Sequence, residues 1–130
     1  VSYLQACLLQ KAMKKAKAID VVYHQNGIIS EAARSSIFMV KDDKLLTTQS
    51  NILEGVTRKN ILKFSAEIVE TQIVDITLEQ LQQADEVFIS STLKEVMPIT
   101  HLDGKIIGDG KIGPWTQKIS DRFQDLVQSV

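Results

Sequence analysis

Several residues of this 130-residue chain have types and spacings that chemistry could use. Gly55-Val56-Thr57 opens a helical pattern, so backbone N–H groups and a hydroxyl gather at a helix N-terminus. Such an end attracts an anion, and a phosphate would suit it; the same residues also read as a plain helix start with Thr57 as N-cap. Ser91 and Thr92 close an apolar strand, where hydroxyls either simply end the strand or lend donors to an oxyanion. Glu31 follows a β-branched run, and burial statistics alone leave its carboxylate solvated in a loop. Gly108, Gly110 and Gly113 match the GxGxxG spacing of a dinucleotide-binding turn ahead of a helix. That reading needs a following strand with an acidic residue about 20 positions on, and none follows here. Turn glycines and a helix entry are the better explanation.

The elements that must position these residues follow from hydropathy period and turn signals. Leu4, Cys7, Leu8 and Ala12 recur at helical spacing, with Lys11, Lys14, Lys15 and Lys17 toward the segment's end, where cations suit the dipole. A helix over about residues 3–17 is predicted. Val21 to Tyr23, Ile28-Ile29, Ile37 to Val40 and Leu45 to Thr48, broken by Asn26-Gly27 and Asp42-Asp43, read as an antiparallel meander. Thr57 opens a helix with Ile61, Leu62 and Phe64; Val69 to Val74 is a strand; Thr77 to Gln80 has the form of a capping box. Glu86 to Ser90 is an apolar strand, Pro98 limits Val96 to Thr100 to an edge or irregular strand, and Asp103-Gly104 turns the chain. Pro114 takes the first position of a last helix with Ile119, Phe123 and Val127 on one face. Strand runs and helices mix without regular βαβ alternation, so the class is α+β in one domain over 1–130, mostly antiparallel with about four helices.

Composition narrows the partners. With 44% apolar and 24% charged residues the chain can bury one real core. A net charge of −1, with both signs interleaved, gives no reason to expect nucleic acid or an anionic membrane. Cys7 has no internal partner and reads as a small core residue in a reducing, cytoplasmic compartment. No apolar run approaches the ~20 residues of a membrane span, and the N-terminal apolar stretch precedes its lysines, opposite to a signal peptide.

Three blocks then carry a resemblance: Ile29-Ser30-Glu31-Ala32-Ala33-Arg34-Ser35-Ser36-Ile37-Phe38, Ile52-Leu53-Glu54-Gly55-Val56-Thr57-Arg58, and Ala84-Asp85-Glu86-Val87-Phe88-Ile89-Ser90-Ser91-Thr92. In order and spacing the chain resembles class IV (fold type IV) pyridoxal-phosphate enzymes, the D-amino-acid and branched-chain aminotransferases. The similarity continues through Glu95, Pro98, Asp103-Gly104, Gly110 and Gly113-Pro114-Trp115-Thr116. It implies the larger, C-terminal domain of the D-amino-acid aminotransferase-like fold and pyridoxal 5'-phosphate as cofactor. It also implies Glu31 beside the pyridine nitrogen, where a carboxylate keeps the ring protonated and electron-withdrawing. Val56, Thr57, Ser91 and Thr92 then hold the phosphate, Leu53 packs against the ring face, and Tyr3 lies near the phenolic oxygen. Two positions depart from the family pattern: Arg34 stands among residues that are commonly small, and Ser36 where Asn is common. Arg34 either pairs with Glu31, competing with the pyridinium, or points to solvent.

In relatives a Schiff-base lysine precedes a segment like Lys-Ser/Thr-x-Asn-Tyr-Leu, and Val1-Ser2-Tyr3-Leu4 covers only its end, with Ser2 in place of Asn. The lysine is therefore expected two residues before Val1, and the chain is expected to be a piece of a longer protein with an N-terminal domain. On a helix rising ~1.5 Å per residue even Lys11 lies more than ~15 Å from that position, so Lys11, Lys14, Lys15 and Lys17 are read as solvated charges. The resemblance implies amino-group transfer between an amino acid and a 2-oxo acid, and a homodimer. The alternatives are a lyase like aminodeoxychorismate lyase, or a non-catalytic relative or fragment. Borohydride reduction of the longer protein with pyridoxal phosphate, followed by peptide mapping, is expected to label a lysine two residues before Val1. A label on Lys11, Lys14, Lys15 or Lys17 that supports turnover would overturn the placement.

Overall fold

A computed structural model of the chain describes residues 2–7, 16–32, 36–48, 56–91, 95–110 and 112–128. Its elements in chain order are strands β1 (Ser2–Cys7), β2 (Ala16–Gln25), β3 (Ile28–Ala32), β4 (Ser36–Lys41) and β5 (Lys44–Thr47), then helix α1 (Val56–Ser65). There follow β6 (Glu70–Ile73), α2 (Leu78–Gln82), β7 (Glu86–Ser91), β8 (Glu95–Ile99), β9 (His101–Leu102), β10 (Lys105–Ile106) and α3 (Pro114–Gln128).

Three tight turns set the strand registers. Asn26-Gly27, Asp42-Asp43 and Asp103-Gly104 each take positive φ at both central residues, as two-residue type I′ hairpins demand. They join β2 to β3, β4 to β5 and β9 to β10, with Gln25 opposite Ile28, Lys41 opposite Lys44 and Leu102 opposite Lys105. Thr77 caps α2 through the expected box: its hydroxyl accepts from the Gln80 N–H at 3.0 Å, and the Gln80 side chain accepts from the Thr77 N–H at 2.9 Å. Pro98 lies in β8, an edge strand, where a residue without an N–H is tolerated.

Two expectations are corrected. Residues 2–7 and 16–17 are strand rather than helix, residues 8–15 lie outside the described residues, and the described helices number three instead of about four. The physical reason is pairing from both sides: β1 pairs antiparallel with β2 and with β9, which satisfies its backbone and buries Leu4 beside Val22 and Leu102. Tertiary pairing thus overrides a short apolar period. Nor is the meander one sheet. It breaks between β3 and β4, giving one sheet in the order β10-β9-β1-β2-β3 and a second in the order β6-β5-β4-β7-β8.

Three layers result. Leu4, Val22 and Ile29 of the first sheet pack against Ile37, Met39, Val87, Ile89 and Ile99 of the second, with Leu81 of α2 in the same cluster. On the second sheet's other face, Phe38, Val40, Leu45 and Phe88 meet Ile61 and Phe64 of α1 and Ile119 and Phe123 of α3. β4 and β7 are therefore covered on both faces, which explains their uninterrupted apolar runs. Phe38 and Phe88 are register partners, fully buried, with rings stacked at 4.8 Å between centroids. Replacing Phe88 by Ala is expected to cost about 3–5 kcal/mol, read as a lower urea midpoint at unchanged slope. A loss under about 1 kcal/mol would show that the helix layer does not depend on this pair.

Candidate functional site

Strand registers bring one end of each central element together. Ser2 lies opposite Val22 and Val22 opposite Ala32, so β1 starts where β3 ends. Ser36 at the start of β4 lies opposite Ser90 of β7, and Phe38 lies opposite Thr47 of β5. The start of β4 thus adjoins the ends of β5 and β7. α1 also begins here: Arg58, 2% exposed, donates from Nη2 to the Thr48 carbonyl at 2.8 Å and ties the helix's first turn to the end of β5. From there the chain runs through α1 and returns as β6, the parallel neighbour of β5. This single βαβ unit puts a helix N-terminus outside the carboxyl end of a strand, a place suited to an anion.

The residues predicted from sequence fall on this end where they are described. Tyr3 is in β1 opposite Val21, Glu31 is in β3 opposite Tyr23, and Ser91 ends β7 opposite Glu95. Val56 and Thr57 are the first two residues of α1, so Thr57 stands inside the first turn rather than at the N-cap position. Leu53, Thr92 and Arg34 lie outside the described residues, as do Lys11, Lys14 and Lys15. Lys17 is in β2 opposite Ala6, about 10 Å along the strands from Tyr3 at ~3.3 Å per residue. Among the described residues no group of His, Cys, Asp and Glu could hold a metal ion, and no helix is long and apolar enough to cross a membrane.

Two polar residues that carried no role in the sequence reading emerge on the helix-facing side of β7. Glu86, 8% exposed, accepts the Thr116 N–H on Oε1 at 2.7 Å and the Trp115 N–H on Oε2 at 3.2 Å, capping the N-terminus of α3. A Cβ at Gly113 would overlap the Glu86 carboxyl group. That contact explains the last glycine of the GxGxxG match: the helix end that a dinucleotide phosphate would need is filled by the protein's own carboxylate. Ser90, two residues further along the same face from Phe88, is 2% exposed and its Oγ has no hydrogen-bond partner among the described residues. The signal for both lay in the alternation of Glu86, Phe88 and Ser90 along an otherwise apolar strand. Donors from the first turn of α1 suit an oxyanion such as a cofactor phosphate.

The Amino-transferase class IV family matches residues 1–102. The chain belongs to the class IV aminotransferase family. A D-alanine aminotransferase of Staphylococcus epidermidis is 38% identical over 119 residues, covering 88% of this chain and 42% of that protein. One from Listeria monocytogenes is 36% identical over 126 residues, covering 94% and 44%. Among solved structures, the Escherichia coli branched-chain amino acid aminotransferase superposes with a TM-score of 0.77 at 38% identity, covering 82% of this chain and 38% of that one. A branched-chain aminotransferase of the thermophilic archaeon Thermoproteus uzoniensis, solved with norvaline, gives 0.77 at 30% identity, covering 85% and 37%. Another branched-chain amino acid aminotransferase, solved with pyridoxamine 5'-phosphate, gives 0.81 at 30% identity, covering 86% and 38%. The class IV fold is thus shared over most of this chain, and the chain spans less than half the length of these relatives.

The Glu86 cap makes its own prediction. Gly113→Ala is expected to destabilise the chain by about 1–3 kcal/mol in urea denaturation, since the new methyl displaces the capping carboxylate. Combining it with Glu86→Ala should cost clearly less than the sum of the single changes. Additive losses would mean that Gly113 is required for another reason.

Proposed function

We propose that the whole protein carrying this chain is a pyridoxal 5'-phosphate-dependent aminotransferase that moves an amino group between an amino acid and a 2-oxo acid. This reading is supported by the strand registers, which put Tyr3 near the start of β1, Glu31 near the end of β3 and Ser91 at the end of β7, and by Val56 and Thr57 in the first turn of α1, which Arg58 ties to the end of β5. Bound there, the cofactor would supply an electron-withdrawing ring to the substrate's Cα.

The chain's own residues have separable tasks in this reading. The N–H groups of Val56 and Thr57, with the donors of Ser91 and Thr92, hold the phosphate and so fix the cofactor's position. Glu31 keeps a proton on the pyridine nitrogen by placing a negative charge beside it. Leu53 packs on the ring face and excludes water from it, and Tyr3 donates toward the phenolic oxygen. The reactive lysine, a phosphate-binding arginine and much of the substrate pocket belong to the part of the protein outside this chain. The cytoplasm is the proposed location and a homodimer the proposed assembly.

The test uses the whole protein with D-alanine or branched-chain amino acids as donors and 2-oxoglutarate as acceptor, donors suggested by the relatives' names. Amino transfer to 2-oxoglutarate is expected, and Glu31→Gln should lower kcat by about 10²-fold or more while the cofactor stays bound. Pyruvate release without an acceptor would assign a lyase instead.

A further inference from the structure

We infer that Tyr23 is a positioning residue for Glu31, its phenol donating a hydrogen bond to the Glu31 carboxylate and so holding that charge toward the cofactor's ring nitrogen; this rests on the function proposed above. The placement comes from a bulge. β2 and β3 pair as Val22 with Ala32 and Tyr23 with Glu31, but the register then shifts and His24 pairs with Ile29, which leaves Ser30 as an extra residue of β3. Val22 and Ile29 are 0% and 3% exposed and belong to the core between the two sheets. In a regular strand Glu31 would share the face of Ile29. The extra residue moves it to the opposite face, the one on which Tyr23 lies, 44% exposed.

Residues directly opposite each other on one face of an antiparallel pair have Cβ atoms about 4.5–5.5 Å apart, close enough for their side chains to interact. Backbone pairing alone therefore sets Tyr23 beside Glu31. On the other side of β2, Tyr3 of β1 lies opposite Val21, which makes it a diagonal neighbour of Tyr23 on the same face. Tyr23 thus stands on the strand between the residue assigned to the ring nitrogen and the residue assigned to the phenolic oxygen. A carboxylate has two oxygens, and one donor at the ring nitrogen leaves the second oxygen for another. The phenol of Tyr23 is such a donor, and a hydrogen bond to an ionised group favours its ionised form. An ionised Glu31 in one orientation is what keeps the proton on the ring nitrogen. His24, the next residue of β2, is turned to the other face: it pairs with Ile29, and its Nε2 lies 3.3 Å from Oγ of the buried Ser2.

The experiment uses the cofactor-free form of the whole protein, titrated with pyridoxal 5'-phosphate and with its deaza analogue, in which a C–H replaces the ring nitrogen. Binding is followed by quenching of protein fluorescence. Tyr23→Phe, which removes only the hydroxyl of an exposed side chain, is expected to weaken pyridoxal 5'-phosphate about fivefold and to leave the analogue within about twofold. In a Glu31→Ala background the same change should alter neither ligand by more than about twofold, because its partner is gone. Equal losses for both ligands, a loss that persists without Glu31, or unchanged affinity for pyridoxal 5'-phosphate would each overturn the role of Tyr23 and leave the functional proposal standing. A wild-type protein that binds neither ligand refutes the functional proposal and this inference with it. Glu31→Ala with wild-type affinity for pyridoxal 5'-phosphate refutes the assignment of Glu31 and, through it, that of Tyr23.

Discussion

β4 and β7 bury apolar side chains on both faces, and the other elements are arranged to cover one face or the other. Phe38 stacked on Phe88 fills the helix side, and Ile37, Met39, Val87 and Ile89 fill the side against the first sheet. Backbone polar groups in such strands can be satisfied only within the sheet, so neither face leaves room for a polar ligand. What these two strands can offer a polar ligand is their ends. The end where β4 begins and β5 and β7 finish is the one that also receives the start of α1.

The polar residues of β7 illustrate how a buried layer tolerates them. Glu86 is held by two N–H groups at the start of α3, which turns the cost of a buried carboxylate into a helix cap. Gly113 is required because the approach is too close for a side chain. A motif that looks like a nucleotide loop is thus spent on packing, and the anion-attracting helix end left over is that of α1.

Much of the fold was legible where the signal is local. The turn pairs, the Thr77 capping box, a helix opening close to Thr57, the helix at Pro114 and the edge placement of Pro98 all depend on a few neighbouring residues, whose backbone preferences decide the outcome. The first segment is ambiguous in sequence because Leu4, Cys7 and Leu8 fit a helix about as well as a strand, and only pairing with β2 and β9 decides between them. The split of the meander was hidden for the same reason: no residue between β3 and β4 announces a change of sheet.

By itself the sequence determined the class IV kinship, through three spaced blocks, and the local chemistry of turns, caps and helix starts. That kinship also implies Glu31, Val56, Thr57 and Ser91 as candidate site residues, whose types suit a ring nitrogen and a phosphate. Only the tertiary structure decided that β1 is a strand, that two sheets enclose one core and that Glu86 closes the α3 terminus. The same holds for the buried hydroxyl of Ser90 near the end of β7. Those outcomes depend on contacts between residues far apart in the chain, where burial and hydrogen-bond satisfaction outweigh any local preference.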